Sequence, residues 1–385
     1  MSCPVCGGDA LQTLVSIPAL PVFCNVLFET REAALAAPRG NVRLIRCRSC
    51  SHLFNGEFEA SLVEYSPRYE NSLHHSSVFQ GYASALCGTL EARFGITRKT
   101  RVLEIGCGSG EFLEMLVQRT GAQALGIDQS LPEERVGAHG SMRLARISLA
   151  EAGREGPFDL VVFRHVLEHI EDPIGFLRAV RDLVSHEGTA IYCEVPNGAL
   201  MLDDLAIWDL IYEHVGYFTA RSLRQVFDRS SLERGVVECA FGDQYLQFFW
   251  SPELSSASIA EPSGRETGQS EHPGKDSFAS TVEEKLEFWK RELATDSRTT
   301  AVWGAGSKGV TFANLCLPSS DGKFLVDQNP RKHGRFVPGT GHVVKPPDAE
   351  VLAMVDRVIV MNPLYREEIE AVVHATRPEA EVVAV

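Results

Sequence analysis

The sequence predicts an α/β protein in three parts: an open Rossmann-like sheet at the centre, a small metal-binding unit before it and a smaller Rossmann-like unit after it. Three observations carry this. Arg101-Val102-Leu103-Glu104-Ile105-Gly106-Cys107-Gly108-Ser109-Gly110 runs from an apolar strand through an acid into closely spaced glycines, and the helical stretch Glu111–Leu116 follows. Thr300-Ala301-Val302-Trp303-Gly304-Ala305-Gly306-Ser307-Lys308-Gly309 repeats that strand, turn and helix start. Two C-x-x-C pairs stand near the N-terminus. At 385 residues the chain exceeds one ordinary small domain. The expected divisions are 1–73, 74–250, a linker over 251–280, and 281–385.

Composition narrows the class. With 44% hydrophobic and 23% charged residues this is an ordinary globular chain, and its formal net charge of -14 disfavours nucleic-acid or membrane-surface binding, which want a basic footprint. A small anionic substrate stays compatible, because local patches can oppose the net charge. Met1-Ser2-Cys3-Pro4 has neither the basic start nor the apolar run of a signal peptide, and no segment approaches membrane-helix length. A cytoplasmic monomer or weak dimer with no membrane partner is expected.

Cys3-Pro4-Val5-Cys6-Gly7-Gly8 and Cys47-Arg48-Ser49-Cys50 read as two metal knuckles. Four soft thiolates in two pairs suit one tetrahedral structural zinc on Cys3, Cys6, Cys47 and Cys50. The 40 residues between the pairs are tolerable, since closure entropy grows slowly with loop length. His52 lies close enough to be a spare ligand, though a surface or supporting position fits it better. The other cysteines are scattered and read as small buried hydrophobes. Arg43–Cys47 reads as a strand entering the second knuckle, Glu64–Ser72 as an aromatic-rich loop holding Tyr65 and Tyr69, and His74–Leu90 as a helix.

From residue 101 strands and helices alternate. Glycines at 106, 108 and 110 let the backbone approach a ligand, and no lysine stands where a P-loop needs one. The turn resembles motif I of class I S-adenosylmethionine-dependent methyltransferases. Ala124–Asp128 is the second strand, and Asp128 lies where an acid can accept both ribose hydroxyls of an adenosyl group. Residues 131–157 should hold the third strand. Phe158–Phe163 is the fourth, leading to Arg164-His165-Val166-Leu167-Glu168-His169. His165 is placed to face a ligand at the strand's carboxyl end. His165 and His169 could imitate a helical metal pair, but H-E-x-x-H is absent, so no metal is expected there.

Ile174–Leu183 is a helix, and the fifth strand exits at Pro196-Asn197. An insertion follows, Ile207–Thr219, in which aromatics surround Glu213-His214. A late hairpin, Gly235–Ala240 with Gln244–Trp250, closes the sheet. Residues 251–280 are rich in Ser, Glu, Gly and Pro and read as a linker. The second glycine turn matches G-x-G-x-x-G, and taken alone it suggests nicotinamide dinucleotide binding. Lys308 within it favours contact with an anion such as a substrate diphosphate.

The cysteine pairs, the two glycine turns and Glu213-His214 together give a chain that resembles the three-domain, zinc-containing C-methyltransferases that add a branch methyl to nucleotide-linked keto-deoxysugars. The resemblance covers nearly the whole chain, and the order of its three modules is more specific than any one motif. It implies a class I methyltransferase sheet, S-adenosylmethionine as cofactor and a structural zinc. The cofactor would sit on Glu104, Gly106, Cys107, Gly108, Gly110 and Asp128. The family's catalytic pair falls on Glu213 and His214, its histidine after the fourth strand on His165, and its tyrosine near the end of the zinc domain on Tyr69 or Tyr65. Two departures fall where substrate should lie: Ile211 stands where the family has a tyrosine, with Tyr212 adjacent, and Phe241-Gly242-Asp243-Gln244 replaces a histidine-glycine-glycine segment.

Methyl transfer from a sulfonium needs orientation and control of charge more than covalent help. The expectation is therefore carbon methylation next to a ketone, with His214 as base and Glu213 orienting it or binding a sugar hydroxyl. His165, Tyr69 or Tyr212 would polarise the keto oxygen, and Tyr65, Asn197, Tyr217 and Lys308 would contact the rest of a nucleotide-linked sugar. Three alternatives stand beside this: an O- or N-methyltransferase on the same scaffold, a dehydrogenase using the second glycine turn, and a non-catalytic zinc-containing binding or scaffold protein.

Overall fold

The computed structural model describes residues 1–385 except 65, 138–139, 184–187, 253–274 and 319–321. Tyr65 and most of the expected linker lie outside the described residues. Three sheets follow one another along the chain.

The N-terminal sheet has four antiparallel strands, Leu11–Pro21, Arg39–Cys47, Leu53–Asn55 and, from far along the chain, Gly216–Tyr217. The central insertion thus completes the N-terminal sheet, which sequence order alone did not reveal. Leu53 pairs with Tyr217 and Phe54 with Gly216.

The central sheet has eight strands in the order Val236–Ala240, Tyr245–Trp250, Ala190–Pro196, Leu160–Arg164, Arg101–Ile105, Gln123–Ile127, Met142–Ala145 and Arg135–Val136. The five strands from Ala190–Pro196 to Met142–Ala145 are parallel. The late hairpin is antiparallel, as its sequence suggested. Strand order reverses between Arg101–Ile105 and Leu160–Arg164, the position where open α/β sheets leave a crevice for ligands. These strands are buried on both faces, which is why they read as continuous apolar runs. Helices Ser77–Phe94, Glu111–Thr120 and Pro173–Leu183 cover the sheet, the first capped by Ser76 and ended by left-handed Gly95.

The C-terminal sheet is all-parallel, in the order Val344–Lys345, Lys323–Val326, Thr300–Trp303, Arg357–Val360, Glu381–Ala384. Gly309 is required on steric grounds: a Cβ there would lie 1.8 Å from the Gly304 carbonyl oxygen, so helix Ser307–Cys316 packs closely on its strand only with glycine. One apolar core joins Leu44 and Leu53 of the first sheet, Trp208 and Tyr212 of the insertion, and Phe312 and Leu325 of the C-terminal unit. Among the described residues no helix is long and apolar enough to cross a membrane.

Candidate active site

The first glycine turn lies at the carboxyl end of Arg101–Ile105 and opens helix Glu111–Thr120, whose N-terminal end presents unpaired backbone N–H groups. Gly106 has φ of 70°, and a Cβ on it would meet Val166 Cγ2 at 2.3 Å. Gly108, at φ of 53°, faces open space, with Asn71 Oδ1 the nearest atom at 3.8 Å. One glycine is thus held by the protein itself and the other leaves room for a ligand. Asp128 stabilises the turn: Gly108 N–H donates to its Oδ2 at 2.8 Å, and Ser130 donates to its Oδ1 from both backbone N and hydroxyl. Glu104 is buried beneath, with Oε2 lacking a hydrogen bond. Burial pushes its carboxyl up to about 8, assisted by Asp128 and opposed by Arg164.

The fourth strand delivers Arg164 and His165 to the same end. His165 holds φ of 54°, a left-handed conformation uncommon for a non-glycine residue and frequent at functional sites. Its Nε2 lies 3.3 Å from Glu194 and its Nδ1 3.5 Å from Glu168. Burial opposes charge on the ring, but these two carboxylates outweigh it and push His165 up to about 9. Glu194 also accepts from Arg164, Tyr192, Tyr82 and Gln247, and burial's tendency to raise its carboxyl is overcome, leaving it well below the usual range.

The insertion supplies the opposite wall. Glu213 is buried; Cys24 N–H donates to its Oε1 at 3.2 Å and Tyr69 Oη to its Oε2 at 2.7 Å. Burial raises its carboxyl. Asn25 Nδ2 donates onward to Tyr69 Oη and to Ser307 Oγ, so all three parts of the chain meet at this carboxyl. His214 stacks edge-on to His169, ring centroids 4.8 Å apart, and to Tyr217 at 5.7 Å. Burial, with His169 and His165 nearby, drives its pKa well down, so the ring is neutral. Ligand atoms of Glu168, His169 and His214 all lie within 4.8 Å of one another.

The structure therefore brings His165, Glu213, His214 and Tyr69 together on the side of the first glycine turn. It places other expected residues elsewhere. Tyr212 points away, its Oη accepting from Glu59 N–H at 2.8 Å and its ring stacked on Phe58. Tyr217 keeps its ring against His214 but commits its hydroxyl to the Ile211 carbonyl. Asn197 caps helix Gly198–Asp203 and donates to the Asp243 carbonyl. Lys308 is paired with Asp209 at 3.0 Å, not free for an anion, and Asp327 accepts from Ala305 N–H and Lys332 at the second glycine turn. His52 is neither a ligand nor at the surface; it is buried against Phe54 and Phe218. Sequence reasoning named His169 only as a possible metal partner of His165 and set it aside, and it passed over Glu168 and Asn25. The neighbouring acid in Leu167-Glu168-His169 was the signal available, but its partner His214 lies far along the chain.

Cys3, Cys6, Cys47 and Cys50 converge, with Sγ–Sγ distances of 3.5 Å for Cys3–Cys50 and Cys6–Cys47. All four are free thiols. That spacing is far beyond a disulfide and close to what tetrahedral thiolates about 2.3 Å from one zinc require.

Residues 79–234 match the methyltransferase-domain family, and residues 275–382 match the family described as the C-methyltransferase C-terminal domain. The chain carries an S-adenosylmethionine-dependent methyltransferase domain. Its relatives include the ubiquinone biosynthesis O-methyltransferase of Ruegeria pomeroyi, 38% identical over 106 residues, spanning 25% of this chain and 41% of that protein. The Psychrobacter cryohalolentis protein of the same name is 31% identical over 142 residues, 34% of this chain and 54% of its own length. Among solved structures, an S-adenosylmethionine-dependent methyltransferase from Archaeoglobus fulgidus aligns over 45% of this chain and 95% of its own, with TM-score 0.34 and 19% identity. These relatives correct one expectation. Carbon methylation of a nucleotide-linked keto-deoxysugar gives way, because the named relatives of this methyltransferase chain act in O-methylation. The C-terminal match bears the words C-methyltransferase, but it spans none of Glu168, His169, Glu213 or His214.

Proposed function

We propose that the protein transfers a methyl group from S-adenosylmethionine to a hydroxyl oxygen of a small molecule. The observation that carries this is the cluster of Glu168, His169 and His214 at the carboxyl end of the fourth strand, one residue turn from Val166, which touches Gly106 of the cofactor turn. An acceptor hydroxyl must shed its proton beside the cofactor, and His214, set against His169 with Glu168 close by, stands where it would take that proton. When bound, S-adenosylmethionine supplies an electrophilic methyl on a sulfonium. The turn at Gly106, Gly108 and Gly110 would hold it, with Glu104 and Asp128 as the neighbouring acids. His165, positively charged, would orient an anionic or developing oxyanion group. Glu213 and Tyr69 would orient the acceptor.

In this reading residues 1–73 are a zinc-stiffened unit, 74–250 the transferring domain and 281–385 a unit that helps place the acceptor. Cys3, Cys6, Cys47 and Cys50 would hold the structural zinc with no open position. The test is incubation with S-adenosylmethionine labelled in its methyl group and a panel of phenols, catechols and sugar hydroxyls. A labelled methoxy resonance in the product is expected. A label found on carbon or nitrogen overturns the reading, as does transfer to none of them by a protein that binds the cofactor.

A further inference from the structure

We infer that Asn71 binds the amino-acid arm of S-adenosylmethionine, and that residues 69–72 form a strap beside the first glycine turn which the third part of the chain holds in place through Glu70. The inference rests on the cofactor turn and goes beyond the oxygen-methylation reading, since it does not depend on which acceptor atom is methylated.

Four successive side chains of this loop reach four different places. Tyr69 Oη donates to Glu213 Oε2 in the insertion at 2.7 Å. Glu70 accepts from Asn329 Nδ2 at 3.0 Å and from Arg331 Nη1 at 2.9 Å, both in the C-terminal unit. Ser72 Oγ donates at 2.9 Å to Glu111 Oε1, on the first residue of the helix that the cofactor turn opens. Asn71, between them, has its Oδ1 3.8 Å from where a Cβ on Gly108 would stand. Three of the four side chains are committed to the protein. Among the described residues no hydrogen bond holds the Asn71 amide, although the residues on either side fix its place.

The two sides of Gly108 are thus used differently. Its N–H donates to Asp128, the acid suited to the ribose. Its open side faces Asn71, on a strap that two residues earlier touches Glu213, where the acceptor is placed. The half of the cofactor nearest the acceptor is the sulfonium with its amino-acid arm. That arm ends in a carboxylate and an ammonium, and a primary amide can donate to the first and accept from the second.

Glu70 ties this contact to the second glycine turn. Ala305 N–H of that turn donates to Asp327 Oδ2 at 2.7 Å, and Asp327 Oδ1 accepts from Asn329 N–H at 2.8 Å. Asn329, 1% exposed, then donates to Glu70. A continuous set of bonds runs from one glycine turn to the other. Arg331 is 62% exposed, and so open an ion pair adds little to stability. Its consequence is the position of the strap, which makes Glu70 and Arg331 positioning residues that act through Asn71.

The test is calorimetry on the full zinc-loaded chain with two ligands, S-adenosylhomocysteine and methylthioadenosine. The second keeps the adenosyl group and the sulfur but lacks the amino-acid arm. Asn71→Ala should weaken S-adenosylhomocysteine by about fivefold or more, the loss of a hydrogen bond to a charged group, and leave methylthioadenosine within about twofold. Arg331→Ala, in a different unit from the cofactor turn, should weaken S-adenosylhomocysteine about threefold with an unchanged urea midpoint. The double variant should be no weaker than Asn71→Ala alone, because Arg331 acts through the same contact. Unchanged S-adenosylhomocysteine affinity in Asn71→Ala overturns the contact, and equal loss of both ligands overturns its assignment to the amino-acid arm. Undiminished affinity in Arg331→Ala, or fully additive losses in the double variant, overturns the strap. Wild-type protein that binds neither ligand removes the cofactor turn itself, whereas normal binding without methoxy product removes only the oxygen-methylation reading.

Discussion

Gly106 and Gly108 both hold left-handed backbone in one turn, yet replacing them with alanine should have opposite consequences. In Gly106→Ala the new Cβ would overlap Val166 Cγ2 at 2.3 Å, on a residue with φ of 70°. The left-handed conformation costs about 1–2 kcal/mol for a residue with a Cβ. Overpacking a filled site adds about 1–3 kcal/mol. A loss of about 2–5 kcal/mol is expected, and Val166 must shift, moving His165 and the turn that carries Glu168. Gly108→Ala suffers only the conformational cost of about 1–2 kcal/mol, because nothing but Asn71 lies within 4 Å of its Cβ. Its methyl instead stands where the cofactor would approach. Urea denaturation and calorimetry with S-adenosylmethionine read the two effects separately. Gly106→Ala should be the less stable variant, and Gly108→Ala should lose only about 1–2 kcal/mol of stability but bind the cofactor at least tenfold more weakly. Equal destabilisation by both, or undiminished cofactor affinity in Gly108→Ala, would refute this account of the turn.

Cys47→Ser should remove zinc from the N-terminal unit, seen as less than one zinc per chain by metal analysis, while the central sheet keeps its cofactor affinity. Tyr69→Phe deletes the donor to the buried Glu213 carboxyl and should cost about 1–3 kcal/mol in thermal or urea unfolding; an unchanged midpoint would show that the bond contributes nothing. Lys308→Ala breaks an ion pair with Asp209 whose side chains are 27% and 32% exposed, so stability should change by no more than about 1 kcal/mol and cofactor affinity not at all. Asp296 is held well below the ordinary aspartate range by its hydrogen bond from Arg298, and Arg357 assists. A depressed carboxyl stabilises above its unfolded pKa of about 3.9 and loses that contribution as pH falls through the folded value; Asp296→Asn should therefore be less stable than wild type at pH 7, the gap closing below about pH 4 in urea unfolding.

The sheet was legible in the sequence because its signals are local. Glu104-x-Gly-x-Gly-x-Gly and Gly304-x-Gly-x-x-Gly each place glycines within one turn, and continuous apolar runs mark strands covered on both faces. The site was legible only in part. Treating His165 and His169 as a helical pair assumed one helix through both. Instead His165 takes a left-handed conformation and turns to Glu194, and a short 3₁₀ turn sends His169 toward the insertion. Tyr212 sits next to Glu213 in sequence but faces the opposite way, beneath Gly40, whose Cβ would overlap its ring. Lys308 carries the charge expected of an anion contact, but a partner in the insertion, Asp209, already occupies it. Each miss depended on residues far apart in sequence.

Those distant contacts explain why the chain needs its outer parts. His214 is set by the insertion, and the insertion is held from two sides. Gly216 and Tyr217 pair with Phe54 and Leu53 of the N-terminal sheet, and His52, whose carbonyl accepts from Cys47 N–H at 2.8 Å, packs against Phe218. From the other side Trp208 packs on Phe312 with ring centroids 4.8 Å apart, and Asp209 pairs with Lys308. The cysteine knuckle is thus joined through His52 to the strand that follows His214, and the C-terminal helix to the turn that precedes it. A methyltransferase sheet alone can carry the cofactor turn. The insertion that brings His214 beside it is packed against the first part of the chain through Gly216, Tyr217 and Phe218 and against the third through Trp208 and Asp209.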